Sequence, residues 1–326
     1  AAISCGDKIL ANVIAGQDVH RSYGGVVPEL ASRAHQQNII PVVDQAFKLA
    51  KLDKRSVSAV AFTNGPGLMG SLLVGTSFAK SFALGLGVPI IEVNHMQAHV
   101  LAHFAQKEGE PYRETPEFPF LCLTVSGGHT QIVRVDNHLE MEVIGRTIDD
   151  AAGEAFDKVA KILGLTYPGG PLLDKYAATG DPKAFDLPHP SVGGFDYSFS
   201  GLTTAVMYFI QAESEKDKRF IESRINDICA SVQATIVNIL IDKLTKAAGA
   251  TGIQNVAIAG GVSANSGLRK SITEKGLHEG WKVYIPPFEY CTDNAAMVAV
   301  TGYFKYLNGE MAPQTLAPYA RFSGMG

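Results

Sequence analysis

The segment from Val57 to Val93 places the strongest constraint on the fold, because β-forming and helix-forming stretches alternate along it. A β-rich run ends at Thr63 and is followed by the turn NGPGLMGS, Asn64 to Ser71. Leu72 to Leu86 then predicts a buried helix rich in Ala, Leu and Phe, and a second apolar run covers Val88 to Val93. A strand, a turn, a helix and a strand in this order are typical of α/β proteins.

The regions on either side extend this pattern. Apolar residues at helical spacing between Glu29 and Leu52 predict a pair of helices, divided or bent at Pro41. The polar, proline-bearing stretch EGEPYRETPEFP, Glu108 to Pro119, predicts a link between two lobes. Phe120 to Val135 predicts a β-hairpin around a Ser-Gly-Gly turn, and a mainly helical section follows from about Asp149 to Lys246.

The strand, turn and helix pattern returns near the end of the chain, in NVAIAGGVSANSGLR from Asn255 to Arg269. Asp293 to Leu307 predicts a last helix with Asp293 at its N-cap. We therefore expect an N-terminal lobe over 1–115, to which a C-terminal helix at about 293–326 returns. The C-terminal lobe would span 116–292, with a helical insertion at about 149–246.

The stretch NHMQAHVLAH, Asn94 to His103, predicts a metal site. On a helix, histidines four residues apart lie on one face about 6 Å apart, close enough to bind one divalent metal. His95/His99 and His99/His103 both qualify, and the position of His95 after a predicted strand favours the first pair. Capping or packing histidines would show the same spacing. Met96 replaces the glutamate that a zinc protease needs, so no proteolytic base is evident.

Two imidazoles need further ligands, and Asp293 is the candidate. It follows the PPFEYCT loop, Pro286 to Thr292, and a carboxylate is acceptable to zinc, iron or manganese. An Asp at a helix start is usually only a cap, so both interpretations stay open.

Glycine-rich turns predict phosphate contacts. GPGLMG, Gly65 to Gly70, matches G-x-G-x-x-G with Glu92 further along, which indicates either a dinucleotide site or a tight turn. SGGHT at Ser126 to Thr130 and AGGVSAN at Ala259 to Asn265 favour a nucleotide held by separate turns, because small residues let backbone N–H groups approach phosphate oxygens. An ordinary hairpin turn is the alternative for each.

Acidic residues nearby allow two interpretations. In EAFDKVAK, Glu154 and Asp157 share a helix face with Lys158 following, which is usual for a solvated face with ion pairs. YPGGP, Tyr167 to Pro171, followed by Asp174, predicts a rigid turn into a helix whose N-terminus could approach a ribose or phosphate. Asp174 as a cap or surface residue is the alternative.

Composition limits the partners. The net charge of -4 gives no overall basic field for nucleic acid, so such a partner needs a local patch or a helper protein. The four cysteines form no Cys-x-x-Cys pair, which favours a reducing cytoplasm.

Lys80 and Pro89 interrupt the longest apolar stretch, so we expect no membrane segment. The chain begins Ala-Ala-Ile-Ser, and we expect its true start to be missing.

Seven motifs together resemble one family along essentially the whole chain, the TsaD family of tRNA threonylcarbamoyltransferases. They are NHMQAH at 94–99, VSGGHT at 125–130, AAGEAFDKVAKILGL at 151–165, YPGGP at 167–171, FDYSFSGLTTA at 195–205, AGGVSAN at 259–265 and YCTDNAAM at 290–297. The histidine in SGGHT resembles the bacterial and organellar branch of the family.

The resemblance implies a two-lobed actin-like, sugar kinase and heat-shock chaperone (ASKHA) nucleotide-binding fold. It implies transfer of threonylcarbamoyl from threonylcarbamoyl-AMP to N6 of adenosine 37, the residue just 3′ of the anticodon, in tRNAs reading codons that start with A (t6A biosynthesis). It also implies one divalent metal, iron or zinc, a TsaB-like paralogue and a TsaE-like ATPase as partners, and a first strand and phosphate turn lying before Ala1.

By the same resemblance, the metal ligands would be His95, His99 and Asp293. The adenylate site would be lined by Val125, Ser126, Gly127, Gly128, His129, Asp157, Gly170, Asp174 and Asn265. No obvious nucleophile is present, so direct transfer is the simpler hypothesis.

Three other functions stay open as alternatives to the transferase. A metabolite kinase and an ATP-driven interaction protein share glycine turns of this kind but have no use for the histidine pair. An NAD-dependent oxidoreductase rests only on the match between Gly65 and Gly70. Stoichiometric transition metal lost on substitution of His95 or His99 would separate the transferase from the kinase and from the interaction protein.

Overall fold

A computed structural model describes residues 1–16, 23, 25–190 and 192–321. In these ranges the strands are β1 Ala2–Cys5, β2 Lys8–Asn12, β3 Val60–Gly65, β4 Ile90–Asn94, β5 Gln106–Lys107, β6 Phe120–Val125, β7 Thr130–Val135, β8 Met141–Arg146, β9 Asn255–Ala259 and β10 Lys282–Tyr284. The helices are α1 Pro28–Ala50, α2 Met69–Leu86, α3 His95–Leu101, α4 Ala152–Ile162, α5 Gly169–Ala177, α6 Ser200–Lys216, α7 Phe220–Thr251, α8 Ser266–Glu279, α9 Phe288–Cys291 and α10 Ala295–Leu307.

The chain forms two compact units. The first consists of Ala1–Pro116, Asn137–Met141 and Pro286–Gly326, and the second of Glu117–Asp136 and Glu142–Ile285. The first unit has two sheets and the second has one, and each unit has its own buried apolar residues, as the α/β pattern predicts.

The first unit contains the strand, turn, helix and strand that the sequence predicted from Val57 to Val93. Strand β3 leads into α2, and β4 returns parallel to β3 with Val60 opposite Ile90 and Gly65 opposite Asn94. Strands β1, β2 and β5 form a separate three-stranded sheet, in which β1 is antiparallel and β5 parallel to β2. Helix α1 packs on α2, with the rings of Phe47 and Phe82 6.2 Å apart.

Helix α1 corrects one prediction. The sequence predicted a helix pair divided or bent at Pro41, whereas the structure has a single helix with Pro41 inside it. Proline removes one backbone N–H and leaves a preceding carbonyl without its helical partner. Pro41 is exposed, so water can satisfy that carbonyl and the helix continues to Ala50.

The second unit is built on a five-stranded sheet in the order β10-β9-β6-β7-β8. The predicted hairpin is confirmed, since β6 and β7 pair antiparallel from Phe120 opposite Val135 to Val125 opposite Thr130. Strand β9 pairs parallel to β6 on the other side. Both β6 and β9 therefore end at the same edge, where the turns that follow them lie side by side.

Two described helices are apolar and long enough, by these criteria alone, to cross a membrane. Helix α7 is 78% buried over its most apolar window, and its side chains form much of the core of the second unit. A buried core helix passes the same test, so α7 is explained by its packing. Helix α2 is only 22% buried over its window, so it leaves apolar surface exposed in the first unit.

Candidate metal centre and nucleotide-binding turns

Two histidines lie on a short helix that begins directly at the end of β4. The side chain of Asn94, the N-cap of α3, accepts hydrogen bonds from the backbone N–H groups of Met96 at 2.9 Å and Gln97 at 3.1 Å. This cap fixes the direction of α3, so His95 and His99 project from one face. Their ring centroids are 4.6 Å apart.

Asp293 completes the group, and its role differs from the predicted N-cap. The N-cap of α10 is Asn294, whose Oδ1 accepts a hydrogen bond from the Met297 N–H at 3.0 Å. Asp293 Oδ1 instead lies 3.4 Å from His95 Nε2 and 3.2 Å from His99 Nε2. The three candidate ligand atoms all lie within 4.8 Å of one another.

The three donors are of types that divalent metals accept. His99 is 1% exposed, and neither of its ring nitrogens makes a well-aligned hydrogen bond, although Nε2 lies 3.2 Å from Asp293 Oδ1. Buried polar atoms without partners are rare, because leaving them unsatisfied costs free energy. Two imidazoles and one carboxylate suit zinc, iron or manganese, so a divalent ion would satisfy atoms that the protein leaves unpaired.

The ionisation of the group favours metal binding at neutral pH. Burial lowers the pKa of His99, which keeps its imidazole neutral, as a ligand must be. Burial acts to raise the pKa of Asp293, but solvent still reaches 79% of this side chain, and the two adjacent imidazoles hold that pKa well below its usual range. The carboxylate is therefore ionised.

His103 lies outside this group. It is fully buried in the 3₁₀ turn Ala102–Phe104 that follows α3, and its carbonyl accepts a hydrogen bond from Arg113 Nη2 at 2.8 Å. The helical spacing that His103 shares with His99 ends at Leu101, because the backbone tightens there.

The predicted nucleotide residues all lie in the second unit, beginning with the turn between β6 and β7. Ser126 N–H donates to the His129 carbonyl at 2.8 Å, and Ser126 Oγ accepts from the His129 N–H at 3.1 Å. Gly127 and Gly128 lie between Ser126 and His129, and a Cβ built on either would meet no atom within 4 Å. The start of α4 approaches this turn so closely that a Cβ on Gly153 would lie 2.8 Å from Gly127 Cα.

The acidic residues connect neighbouring helices at this edge. Asp157 Oδ1 accepts from the N–H groups of Gly169 at 2.9 Å and Gly170 at 3.1 Å, which ties α4 to the start of α5. On α5, Asp174 accepts from Ser266 Oγ at 2.6 Å and from the Ser266 N–H at 3.1 and 3.2 Å. Burial raises the pKa of Asp157, and its two N–H donors oppose that rise.

The turn after β9 makes the remaining contacts at this edge. Asn265 caps α8 by accepting from the Leu268 N–H at 2.9 Å, and its Nδ2 donates to Gln233 Oε1 at 2.9 Å. Gly260 has φ +86°, and a Cβ there would overlap the carbonyl oxygen of Val125. Contacts thus run from Val125 through Gly260, the β9 turn, α5 and α4 back to Ser126, so the structure brings the nine predicted residues to one sheet edge.

Lys158 shows the solvated side of α4. Its Nζ lies 2.7 Å from Asp150 Oδ1 and 3.0 Å from Glu154 Oε1, both ion pairs in contact with solvent. Of Glu154, Asp157 and Lys158, it is Asp157 that bonds to the start of α5. The sequence interpretation missed Asn94, Gly153 and Gln233; of these, only Asn94 carried a local signal, as an N-cap residue type after a predicted strand.

Comparison with known proteins decides the family. The model of the family "TsaD: tRNA N6-adenosine threonylcarbamoyltransferase" matches residues 8–300. The chain belongs to this family. A protein of Christiangramia forsetii named tRNA N6-adenosine threonylcarbamoyltransferase is 61% identical, over 99% of this chain and 94% of the relative. One of Riemerella anatipestifer with the same name is 57% identical over the same shares. The predicted family and its transferase class are confirmed.

Solved structures support the fold. HypF of T. kodakarensis aligns with a TM-score of 0.57 at 15% identity, over 83% of this chain and 44% of HypF. Full-length HypF in its phosphate- and nucleotide-bound form aligns with a TM-score of 0.56 at 17% identity, over 82% of this chain and 41% of HypF. The chain spans less than half of HypF, and at this identity the likeness concerns the fold alone. The predicted ASKHA fold is confirmed.

Proposed function

We propose that this protein transfers threonylcarbamoyl from threonylcarbamoyl-AMP to N6 of adenosine 37 in tRNAs that read codons starting with A. Membership of the family supports the class of reaction. The observation that carries the chemistry is the group formed by His95, His99 and Asp293, in which a buried imidazole faces a carboxylate and makes no well-aligned hydrogen bond. Neither a kinase nor an ATP-driven interaction protein needs such a group.

In the first unit, His95, His99 and Asp293 would hold one divalent metal, iron or zinc. Such a metal supplies Lewis-acid chemistry, which polarises a carbonyl without a proton donor. Asn94 caps α3, which bears both histidines, and Asn294, the residue after Asp293, caps α10, so the three side chains are held in position before anything binds. Because the ligands are already in place, little ordering free energy is lost on binding.

In the second unit, the turns at the ends of β6 and β9 would hold the adenylate. Gly127 and Gly128 leave space for a phosphate to approach backbone N–H groups. We assign the remaining contacts to Val125, Ser126, His129, Asp157, Gly170, Asp174 and Asn265. Asp174 accepts a hydrogen bond from Ser266, and Asn265 accepts one from Leu268, both at the start of α8. These bonds keep the turns at a fixed separation.

The transfer would be direct. The N6 amine attacks the carbamoyl carbon, the bond from that carbon to the phosphate oxygen breaks with AMP taking the electron pair, and the amine proton passes to solvent. Burial raises the pKa of Cys122 and Cys229 to about 12, so neither is a thiolate at neutral pH. These two thiols are unsuited to forming an acyl-enzyme, which favours the one-step route.

Partners would include tRNA, a TsaB-like paralogue and a TsaE-like ATPase. We place the paralogue on α1 and α2, where the exposed apolar side chains Ile40, Leu49, Leu73 and Leu84 lie on two helices that pack together. Exposed apolar surface of this kind marks protein interaction sites. A tRNA substrate and four cysteines that form no disulfide within the described residues both accord with a cytoplasmic location.

The test is a transfer assay with the full chain and its proposed partners. Threonylcarbamoyl-AMP and unmodified tRNA are added, the tRNA is digested, and threonylcarbamoyladenosine is measured by mass spectrometry. His99→Ala should lose both bound metal and product. His278→Ala, which alters an exposed histidine on α8, is the matched control and should retain both. Nucleotide binding without metal or product would instead favour a kinase or an interaction protein.

A further inference from the structure

The GPGLMG turn, which the proposed reaction does not use, is covered by the C-terminal strap, defined here as Ala312–Arg321. The strap makes backbone contacts along the ends of β3 and β4. Ala312 N–H donates to the Ile90 carbonyl at 2.9 Å, Tyr319 N–H to the Asn64 carbonyl at 3.0 Å, and Gly67 N–H to the Ala320 carbonyl at 3.2 Å. Lys80 Nζ also donates to the carbonyl of Leu316. The strap is thus fixed at several separate points.

Tyr319 occupies the space above Gly65. Gly65 has φ +155°, and a Cβ there would overlap the Tyr319 carbonyl and lie 2.6 Å from its ring carbons. The first glycine of the motif is therefore required by the close approach of Tyr319. This contact fills the place where a dinucleotide pyrophosphate would approach the backbone, so the structure argues against the oxidoreductase alternative.

The hydroxyl of Tyr319 reaches the helix that bears the histidines. Asn94 Nδ2 donates to Tyr319 Oη at 3.2 Å, and the Tyr319 hydroxyl donates to the Gly65 carbonyl at 3.3 Å. The opposite end of the same Asn94 amide accepts the Met96 and Gln97 N–H groups that begin α3. A single amide thus joins the strap to the cap of the helix that carries His95 and His99.

We propose that Tyr319 is a positioning residue for the metal centre, acting through Asn94 to hold α3 and its two histidines in the geometry that binds metal. Without the hydroxyl, the Asn94 amide has one fewer bond to fix its rotation. It can then turn away from the Met96 and Gln97 N–H groups. The histidines at the first and fifth positions of α3 would vary in direction, and their affinity for metal would fall. This inference rests on the proposed function, because it assumes the metal site.

The test compares Tyr319→Phe with Tyr112→Phe, a control at an exposed tyrosine. Co²⁺ affinity is measured by competition with a chelator, the coordination by the Co²⁺ absorption spectrum, and the strap by limited proteolysis. Tyr319→Phe keeps the ring over Gly65, so we expect the strap to stay protected. Co²⁺ binding should weaken by about two- to tenfold, the effect of one lost hydrogen bond, with a changed spectrum and a lower kcat at unchanged KM for tRNA.

A second pair tests the same link through the glycine. Gly65→Ala should displace Tyr319, expose the strap to protease and weaken Co²⁺ binding, whereas Gly75→Ala, at a helix position with open space, should change neither. Equal Co²⁺ affinity and spectra in Tyr319→Phe and the wild type would overturn the inference while leaving the metal site intact. A wild type that binds no Co²⁺, or whose binding survives His99→Ala, would overturn both this inference and the proposed metal centre.

Discussion

Asp293 Oδ1 lies 3.2 Å from Nε2 of His99, a residue that is almost wholly buried and makes no well-aligned hydrogen bond through either ring nitrogen. His99 lies within α3, and Asp293 directly precedes Asn294, the N-cap of α10. Two elements far apart in sequence thus supply the pair, and an asparagine caps each helix. The caps therefore fix the positions of these side chains through the backbone.

Asp293→Asn should abolish tight metal binding, because the amide keeps the size of the side chain but removes the negative charge and one strong oxygen donor. Loss of outer-shell partners alone weakens metal binding by 10–100-fold, so for a direct ligand we expect a loss of about 100-fold or more. Chelator competition with Zn²⁺ measures the effect. Asp136→Asn, at an exposed ion pair with Arg134, is the same exchange elsewhere and should leave Zn²⁺ affinity unchanged.

Gly260→Ala should destabilise the second unit and weaken adenylate binding. The positive φ is unfavourable for alanine, and its Cβ would lie 2.8 Å from the carbonyl carbon of Val125. We expect a loss of about 1–3 kcal/mol in the free energy of unfolding, measured by urea denaturation. Gly249→Ala, within α7 and facing open space, should instead be neutral or stabilise the protein by up to about 1 kcal/mol. Equal stability of the two variants would contradict the close contact at Val125.

Stability below neutral pH should depend on His138, which packs between aromatic rings of the first unit. Its ring centroid is 3.8 Å from that of Phe304 and 4.7 Å from that of Phe104. Burial lowers the pKa of His138. Below its unfolded pKa of about 6.5 the unfolded state therefore binds more protons, and folding stability falls as pH decreases.

Replacing His138 by Phe should remove that part of the pH dependence. The decrease in the Tm of metal-free protein between pH 7.5 and pH 5.5 should be smaller for His138→Phe than for the wild type. His278→Phe provides the comparison, because His278 is exposed and paired with Glu279. An identical decrease in wild type and His138→Phe would show that His138 does not change its protonation on unfolding.

The cysteines should differ in reactivity toward a thiol reagent at pH 8. Burial raises the pKa of Cys122 and Cys229 to about 12, so their thiols are both protonated and shielded in the folded protein. Cys5 is exposed and should be labelled first. Mass spectrometry of peptides from native and urea-unfolded protein will show this order. Rapid labelling of Cys122 in the native state would reopen an acyl-enzyme route.

The sequence predicted the elements whose signal is local. The strands and helix from Val57 to Val93 and the hairpin from Phe120 to Val135 follow from apolar runs bounded by glycine turns, and the structure contains both. The effect of Pro41 depends on its exposure, because on the solvent side of α1 water can replace the lost hydrogen bond. Exposure is a tertiary property and leaves no mark in the local pattern.

The same limit applies to the candidate sites. The four-residue spacing of His95 and His99 was visible in the sequence, but the choice between Asp293 as cap and as ligand depended on whether Asn294 takes the cap. The contact between Tyr319 and Asn94 joins residues 225 positions apart in the sequence, so no spacing rule could indicate it. Residues brought together by the packing of distant elements must be found in the structure.

The exposed face of α1 and α2 should be required for binding the TsaB-like paralogue. Leu84 is 72% exposed on α2, and placing a carboxylate there would bury a charge in any apolar interface without a partner. Leu84→Asp should therefore weaken association by at least about tenfold, as measured by titration calorimetry. The fold should be unaffected, because the side chain contacts mainly solvent.

Leu277→Asp is the matched control, since Leu277 is 82% exposed on α8 of the second unit. It should bind the paralogue as the wild type does, with the same Tm. If Leu84→Asp binds normally while the wild type forms the complex, the paralogue docks elsewhere, and the apolar surface of α2 needs another explanation. If both variants lose binding equally, the effect is general charge repulsion, which added salt would screen.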